Sequence, residues 1–256
     1  MHPKCREIIS LCEQHGYRYH LLSNGIASEK LIDIVREFKV RHLFLSLDGR
    51  PQTYKIIRGV DGYYNVLRVV EELKNETNIT LAYTISPWNS REDYLHILEI
   101  VRKYNLNLET VIYDDAKVFD TEFVGHKLFY EVSDLMEEGL NRKFVLFYKK
   151  WLTGMKIPCL SIRATTLVMP NGDVRLCHGT DIVLGNIYER PLEKILKSKE
   201  TRKILKIYTK CNKCYAHCHR MFDLSILEKT RCLPKFILKR LWGFEYESLS
   251  EGTKNG

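Results

Sequence analysis

Long apolar runs are missing from this sequence, and their absence excludes a membrane-spanning helix. No run approaches the roughly 18 apolar residues that such a helix needs. Residues Met1 to Cys5 also lack the basic start and apolar stretch of a secretory signal peptide. Internal repeats, low-complexity segments and recognised nucleic-acid-binding motifs are absent as well. The sequence therefore predicts a globular, cytoplasmic protein without a membrane span, and it disfavours nucleic acid as a partner.

The charge of the chain is unevenly spread. The formal net charge is +8, and ten Lys or Arg residues stand against two Glu residues between Arg190 and Arg220. Such a run is usually a solvated helix face. A second interpretation is that the cations stabilise a negatively charged thiolate site nearby.

The cysteines are concentrated near the C-terminus. Six of the eight lie between Cys159 and Cys232. In a reducing compartment, cysteines are more often metal ligands, catalytic groups or buried apolar residues than disulfides. Cys5 and Cys12 lie apart from this group, on one face of a predicted helix among apolar neighbours, and we expect them to be structural.

The first 115 residues alternate between helical and strand patterns, which is typical of β/α units around a mainly parallel sheet. The predicted helices are Lys4 to His15, Ser28 to Phe38, Gly62 to Lys74, and one capped by Ser90 that ends at Tyr104. The predicted strands are Tyr17 to Leu22, His42 to Leu47, Asn78 to Ile85, and Leu108 to Tyr113.

Beyond residue 115 the pattern changes. An amphipathic stretch runs from about Lys127 to Trp151, and we place a domain boundary near Gly154. Apolar runs on both sides of Pro170-Asn171-Gly172 predict a β-hairpin. A helix is expected from Pro191 to about Tyr208.

The spacing of the clustered cysteines predicts a metal site. Twelve residues separate Cys159 from Gly172 in the predicted hairpin turn, and four residues separate Gly172 from Cys177. Cys211 and Cys214 are separated by two residues, so both thiolates can face one metal centre. Spacing alone does not decide between zinc and an iron-sulfur cluster. Unrelated buried cysteines are the remaining alternative.

These cysteines, together with Leu184-Gly185-Asn186-Ile187, resemble the C-terminal auxiliary-cluster module, of SPASM or twitch type, in radical S-adenosylmethionine (SAM) enzymes. The resemblance implies one 4Fe-4S cluster on Cys159, Cys177, Cys211 and Cys214. The full SPASM pattern has a longer second half that this chain does not match. Cys218 and Cys232 are candidate additional ligands. The sequence leaves open whether the module holds one cluster or two.

The front of the chain resembles the radical SAM barrel independently of the cysteines. The segments 43–49 (LFLSLDG) and 54–62 (YKIIRGVDG) are similar to the family's fourth strand and the loop behind it. Barrels bind ligands at the C-terminal ends of their strands. The resemblance implies that four residues bind the SAM cofactor: Asn24, Ser46, Asp48 and Arg58. Ordinary turn and surface roles are the alternative for each.

The implied fold class is α/β. It is a partial (β/α)6 TIM-like barrel over residues 1–153 that lacks its first two β/α units. A small cysteine-rich module of β-hairpin and helix follows over 154–234, and the basic, apolar tail 235–256 is expected to be disordered at its end. The family's Cys-x3-Cys-x2-Cys loop and Gly-Gly-Glu-Pro motif are not in the sequence.

The leading hypothesis is thus an enzyme that cleaves SAM and modifies a peptide or small molecule by radical chemistry. We expect this chain to be inactive alone and to need the missing barrel segment, from a separate chain or from sequence upstream. No residue is assigned as catalytic. The alternatives are a non-catalytic 4Fe-4S or partner-binding subunit and a zinc-ribbon protein that binds nucleic acid.

Overall fold

The computed structural model describes residues 2–113, 131–137 and 139–230. These residues form two compact units. The first holds the described residues up to Tyr113 together with 131–135, and the second holds the described residues from Met136 onward. None of the helices in these ranges combines the length and apolarity that a membrane crossing requires.

The first unit is built on a parallel sheet of four strands. They are β1 (Leu21–Ser23), β2 (His42–Ser46), β3 (Asn78–Ile85) and β4 (Asn107–Ile112), in the order β1-β2-β3-β4. Each strand pairs in parallel with the next, as when Leu45 lies opposite Leu81. This order requires a crossover between every pair of strands, and helices supply the crossovers. The predicted α/β class with a mainly parallel sheet is confirmed.

The helices that accompany this sheet within the described residues include α1 (Cys5–Gln14), α2 (Ser28–Glu37), α3 (Pro51–Arg58), α4 (Tyr63–Leu73) and α5 (Arg91–Tyr104). The sheet is asymmetric. Leu43 and Leu45 of β2 are fully buried, whereas Phe44 between them is only half-buried. Successive strand residues point to opposite faces, so one face of β2 contributes to the core and the other does not.

The start of α5 shows how the sequence fixes an element. Ser90 accepts a hydrogen bond from the backbone N–H of Asp93, and the Asp93 carboxylate accepts one from the Ser90 N–H. This reciprocal capping box satisfies two backbone donors that a helix start otherwise leaves unpaired. The helix predicted with Ser90 as its cap and Tyr104 as its end is confirmed.

The second unit combines helices with a small antiparallel sheet. Its helices are α6 (Leu140–Leu152), α7 (Leu192–Leu196), α8 (Lys199–Tyr208) and α9 (His217–Thr230), and a short 3-10 turn spans Ser161–Arg163. Its strands are β5 (Leu167–Val168), β6 (Asp173–Arg175) and β7 (Val183–Asn186), in that order. β5 and β6 form the hairpin predicted around Asn171-Gly172.

Several elements differ from the sequence prediction; β7 and α9, for example, lie in segments for which no strand or helix was predicted. The first strand is Leu21–Ser23 rather than Tyr17 to Leu22. Helix α3 lies in a segment for which no helix was predicted. Pro51 lies in its first turn, where the missing backbone N–H would have no partner within the helix. Gly59 ends the helix in a left-handed conformation, with φ of 69°. The single helix predicted to Tyr208 is two helices, because Ser198 starts a new one by accepting from the Thr201 N–H.

Candidate metal centre

The hairpin turn brings the first two cysteine segments together. Gly172 has φ of +85°, a left-handed conformation that L side chains rarely adopt. A Cβ atom at this position would also clash with the Tyr188 ring. The Asn171 side chain accepts from the Asp173 N–H at 3.2 Å and donates to its carboxylate at 2.7 Å. The turn therefore depends on glycine for its geometry and on asparagine for its hydrogen bonds.

Cys159 lies in an irregular segment that leads into the 3-10 turn. Its backbone N–H donates to the Thr209 carbonyl at 3.0 Å, just beyond α8. The residue is 7% exposed, and its sulfur lies 3.7 Å from Ser161 Oγ. Burial, reinforced by the nearby Asp223 carboxylate, raises the pKa of the Cys159 thiol to about 11. A metal that binds this sulfur must therefore displace a firmly held proton.

Cys211 and Cys214 occupy the loop that links α8 to α9, and Asn212 between them holds that loop against the Cys159 segment. The Asn212 amide oxygen accepts from the Ile157 N–H at 3.1 Å, and its NH2 group donates to the Met155 carbonyl at 3.2 Å. The Asn212 side chain therefore adds two hydrogen bonds between the segments to the Cys159–Thr209 backbone bond. This fixes their approach without a strand ladder.

The four predicted ligands surround one pocket. Cys159, Cys177, Cys211 and Cys214 all line it. Cys159 is buried, and the other three are half-buried. Two imidazoles, those of His178 and His219, complete much of the wall, with ring centres 6.0 Å apart. His219 Nδ1 lies 2.8 Å from Ser161 Oγ and 4.0 Å from the Cys159 sulfur.

A buried ion pair organises the wall behind these thiols. Arg220 and Asp223 are 1% and 0% exposed, and their side chains are 3.1 Å apart. Asp223 Oδ1 accepts from the backbone N–H groups of Leu160 and Ser161, each at 2.8 Å. The segment next to Cys159 is therefore anchored to α9.

The arginine of this pair anchors both cysteine segments. Its guanidinium donates to the carbonyl oxygens of Ile157, Pro158 and Cys214, at 2.9 to 3.2 Å. A planar guanidinium with five fixed donors suits such a junction, because it can satisfy several buried acceptors at once. The pair Arg220–Asp223 thereby links the Cys159 and Cys214 segments through α9.

The four cysteines line the pocket from three separate segments. Within the described ranges, no three His, Cys, Asp or Glu side chains lie close enough to hold a single metal ion. Four cysteines around a pocket are the donor set of an iron-sulfur cluster, whose irons each take a separate thiolate. A tetrahedral zinc site needs all four sulfurs within about 2.3 Å of one atom. The donor set therefore fits an iron-sulfur cluster.

The remaining cysteines have different positions. Cys218 lies in α9, four residues beyond Cys214. Cys232 lies outside the described residues. Cys5 and Cys12 belong to α1 of the first unit and are half-buried free thiols. The assignment of Cys218 and Cys232 as additional ligands stays a prediction.

Of the four residues predicted to bind SAM, the structure joins two. Asp48 is fully buried, and its carboxylate accepts from Arg58 Nε at 2.6 Å and from the Thr84 N–H at 3.2 Å. Ser46 is half-buried at the end of β2, opposite Ala82. Asn24 is exposed, and its side chain accepts from the Ile26 N–H at 3.3 Å. No hydrogen bond within the described residues links Asn24 or Ser46 to the Asp48–Arg58 pair.

Sequence reasoning missed the polar residues that support the cysteines, namely Asn212, His219, Arg220 and Asp223. One signal was available. Arg220 and Asp223 stand three residues apart on one helix face, which is the spacing of a helical ion pair. Nothing in that spacing marks the pair as buried.

Comparison with known proteins supports these observations. Residues 159–219 match the family model of SPASM, described as an iron-sulfur cluster-binding domain. No curated protein matches the chain. The solved structure of "native anSMEcpe with bound AdoMet", a radical SAM enzyme, superimposes with a TM-score of 0.54 at 16% identity.

That superposition covers 80% of this chain and 65% of the other. The chain thus spans less than two thirds of the structure it matches. An identity of 16% supports a shared fold and nothing finer. The match over 159–219 includes all four predicted ligands and ends at His219. Residues 159–219 are therefore similar to a SPASM iron-sulfur cluster-binding domain, and the chain has a fold similar to that of the AdoMet-bound structure.

Proposed function

We propose that this chain holds a 4Fe-4S cluster on Cys159, Cys177, Cys211 and Cys214 and acts in radical SAM chemistry. In this proposal the cluster is auxiliary, and the substrate is a peptide or a small molecule. The observation that carries the proposal is the convergence of these four cysteines, from three separate segments, on one pocket. The SPASM match over the same residues supports it.

The residues around the pocket have distinct roles in this proposal. The cluster supplies one-electron chemistry or a site for substrate when it is bound. The Arg220–Asp223 pair and Asn212 hold together the two segments that carry Cys159 and Cys214 before any metal is present. His219, hydrogen-bonded to Ser161, orients polar groups toward the Cys159 sulfur.

In the first unit we propose SAM binding at the C-terminal end of β2. Asp48 would act there as a positioning residue, because its carboxylate is buried and engaged by Arg58. Arg58 is 30% exposed and can offer its remaining donors to a ligand carboxylate. Ser46 and Asn24 would contribute hydrogen bonds from neighbouring strand ends.

SAM cleavage needs a further cluster with an open coordination position. The Cys-x3-Cys-x2-Cys loop that serves this purpose in the family is not among these 256 residues. We therefore propose that cleavage depends on such a loop supplied by another polypeptide segment. The chain alone, reduced with dithionite and given SAM, should yield no 5′-deoxyadenosine. Clear production of it would refute this part of the proposal.

Anaerobic reconstitution with iron and sulfide tests the proposal directly. The protein should turn brown and bind about four irons per chain, because four cysteines make one complete cluster shell. Cys177→Ala and Cys214→Ala should each lose most of this iron, whereas Cys5→Ala and Cys12→Ala should keep it. A colourless protein with one zinc per chain would contradict the proposal. Full iron content in both ligand variants would show that other residues bind the cluster.

A further inference from the structure

The surface beside the metal pocket carries an unusual charge pattern. Between Lys199 and Lys213 there are six Lys or Arg residues and one acidic residue, Glu200. All six cations are exposed: Lys199, Arg202, Lys203, Lys206, Lys210 and Lys213. We call these six residues the cationic stripe. None of them forms an ion pair within the described part of the chain.

Four of the six cations lie on α8, where Lys206 in the last turn suits the helix dipole but Lys199 and the like-charge spacings do not stabilise the helix. Lys199 lies in the first turn of α8, where the helix dipole disfavours a positive charge. Arg202 and Lys206 are four residues apart, as are Lys199 and Lys203, and like charges at this spacing destabilise a helix. Local stability therefore does not explain the pattern. A partner of opposite charge would explain it, as would a negatively charged thiolate site nearby.

The opposite face of α8 leads to the metal pocket. Tyr208 at the end of the helix lines that pocket with Cys211, which follows three residues later. Lys210 and Lys213 are the immediate neighbours of Cys211 and Cys214 in sequence, and both are exposed while the two cysteines are half-buried. The stripe therefore runs up to the two ligands that lie nearer the solvent than Cys159.

An apolar side chain lies within this surface. Ile207 is 68% exposed between Lys206 and Tyr208. Protein interfaces combine an apolar centre with a polar rim, whereas nucleic-acid surfaces use cations with aromatic stacking. A cationic rim around an exposed isoleucine thus fits an acidic protein better than a nucleic acid.

We propose that the cationic stripe is the docking surface for an acidic, one-electron carrier protein that exchanges electrons with the cluster. The inference rests on the proposed function. In the transfer, one electron leaves the reduced carrier and enters the cluster, so the carrier is oxidised and the cluster reduced by one equivalent. No bond forms or breaks. Charge complementarity of this kind speeds encounter and is weakened by salt.

The test uses a purified acidic flavodoxin and the full 256-residue chain. Binding of oxidised flavodoxin is measured at low and high salt, before and after cluster assembly. Reduction of the cluster by fully reduced flavodoxin is then followed by stopped flow. Lys206→Glu/Lys210→Glu/Lys213→Glu should lower the association rate constant at least about tenfold at low salt, within the range that electrostatic steering supplies. Reduction by dithionite, a small molecule, should be unchanged.

Two further variants make the result specific. The triple Gln variant at the same three positions removes charge without reversing it and should give an intermediate loss. A matched control reverses three exposed cations of the first unit, Lys30, Lys39 and Arg41, and should change the rate less than twofold. Equal association of flavodoxin with wild type and the triple Glu variant would overturn the inference. So would binding of single-stranded RNA that displaces flavodoxin from the stripe.

The outcomes also separate this inference from the proposed function. If the chain binds flavodoxin through the stripe but takes up no iron, the proposed cluster fails and electron exchange fails with it. If the cluster assembles but flavodoxin reduces both variants equally fast, only the docking surface is wrong.

Discussion

Removing the charge of Asp223 tests how the metal pocket is held together. One carboxylate oxygen accepts from the N–H groups of Leu160 and Ser161, and the other accepts from Arg220. Asp223→Asn keeps an oxygen for the two N–H groups but removes the charge beside a fully buried guanidinium. Asp223→Ala removes the charge and both hydrogen bonds. The two variants therefore separate the ion pair from the backbone contacts.

The expected effects differ in size. Breaking a buried ion pair by removing one partner lowers the free energy of unfolding by about 3–5 kcal/mol. The Ala variant also leaves two buried N–H groups unpaired, at about 1–3 kcal/mol each. Natural domains have a free energy of unfolding of about 5–15 kcal/mol. The Asn variant should therefore be folded but only marginally stable, and the Ala variant should leave the second unit largely unfolded.

The assay is urea denaturation of the cluster-free protein, combined with amide hydrogen exchange over residues 157–161. Exchange should accelerate in both variants, because that segment is anchored to Asp223. Arg220→Met/Asp223→Asn should be less destabilised than the sum of the single variants, since it removes the uncompensated cation. Asp181→Asn is the control, because its ion pair with Arg175 is exposed and worth at most about 1 kcal/mol. A loss below about 1 kcal/mol for Asp223→Asn would refute the reasoning.

Three further predictions concern other parts of the chain. Tyr83 buries a hydroxyl that has no hydrogen-bond partner among the described residues, so Tyr83→Phe should raise the free energy of unfolding by up to about 1 kcal/mol in a thermal melt. Burial acts to raise the pKa of Asp93, but hydrogen bonds led by those from Arg50 hold it below its ordinary value. The ionised Asp93 carboxylate therefore contributes to the free energy of unfolding above about pH 4, and this contribution is lost as the pH falls further. In Asp93→Asn the free energy of unfolding should depend less on pH in this acid range. Gly172→Ala should cost at least about 1–2 kcal/mol in urea, because Ala disfavours φ of +85°; an unchanged midpoint would contradict this.

The sheet was largely predictable because its strands follow local rules. β3 occupies the predicted residues Asn78 to Ile85, and its apolar run is typical of a strand buried in a parallel sheet. Boundaries were less certain where the sequence is mixed. Tyr17 is 67% exposed and lies before β1, so its aromatic ring and strand propensity gave the wrong start. Closure of the four strands into a barrel stays a prediction.

The helices show what periodicity does not resolve. The apolar spacing from Leu192 to Tyr208 continues through Ser198, so the pattern predicts one helix. Ser198 nevertheless ends the first helix, because its hydroxyl competes for the N–H of Thr201. A serine within an apolar repeat is equally common on a helix surface, and only its side-chain contact distinguishes the two cases.

The candidate ligands were predictable, but the residues that hold them were not. Cys211 and Cys214 are recognised from spacing, which depends only on the local chain. Arg220 and Asp223 are charged residues on a helix, and such residues are normally solvated. Their burial depends on carbonyl and N–H groups of residues 157–161, about sixty positions earlier in the chain. No local sequence pattern predicts a contact between residues so far apart in the chain.

The apolar core around the pocket is small, which explains why the buried Arg220–Asp223 pair is needed. Among the described residues, the apolar cluster beside the pocket has three buried members, Cys159, Ile162 and Leu176, with partly buried hydrophobic neighbours packed against them. A core of this size buries too little apolar surface to order several irregular segments. Hydrogen bonds from Asn212 and the Arg220–Asp223 pair therefore preorganise the ligand segments. In the proposed function, metal binding would add the remaining free energy, so loss of iron and loss of local order should occur together.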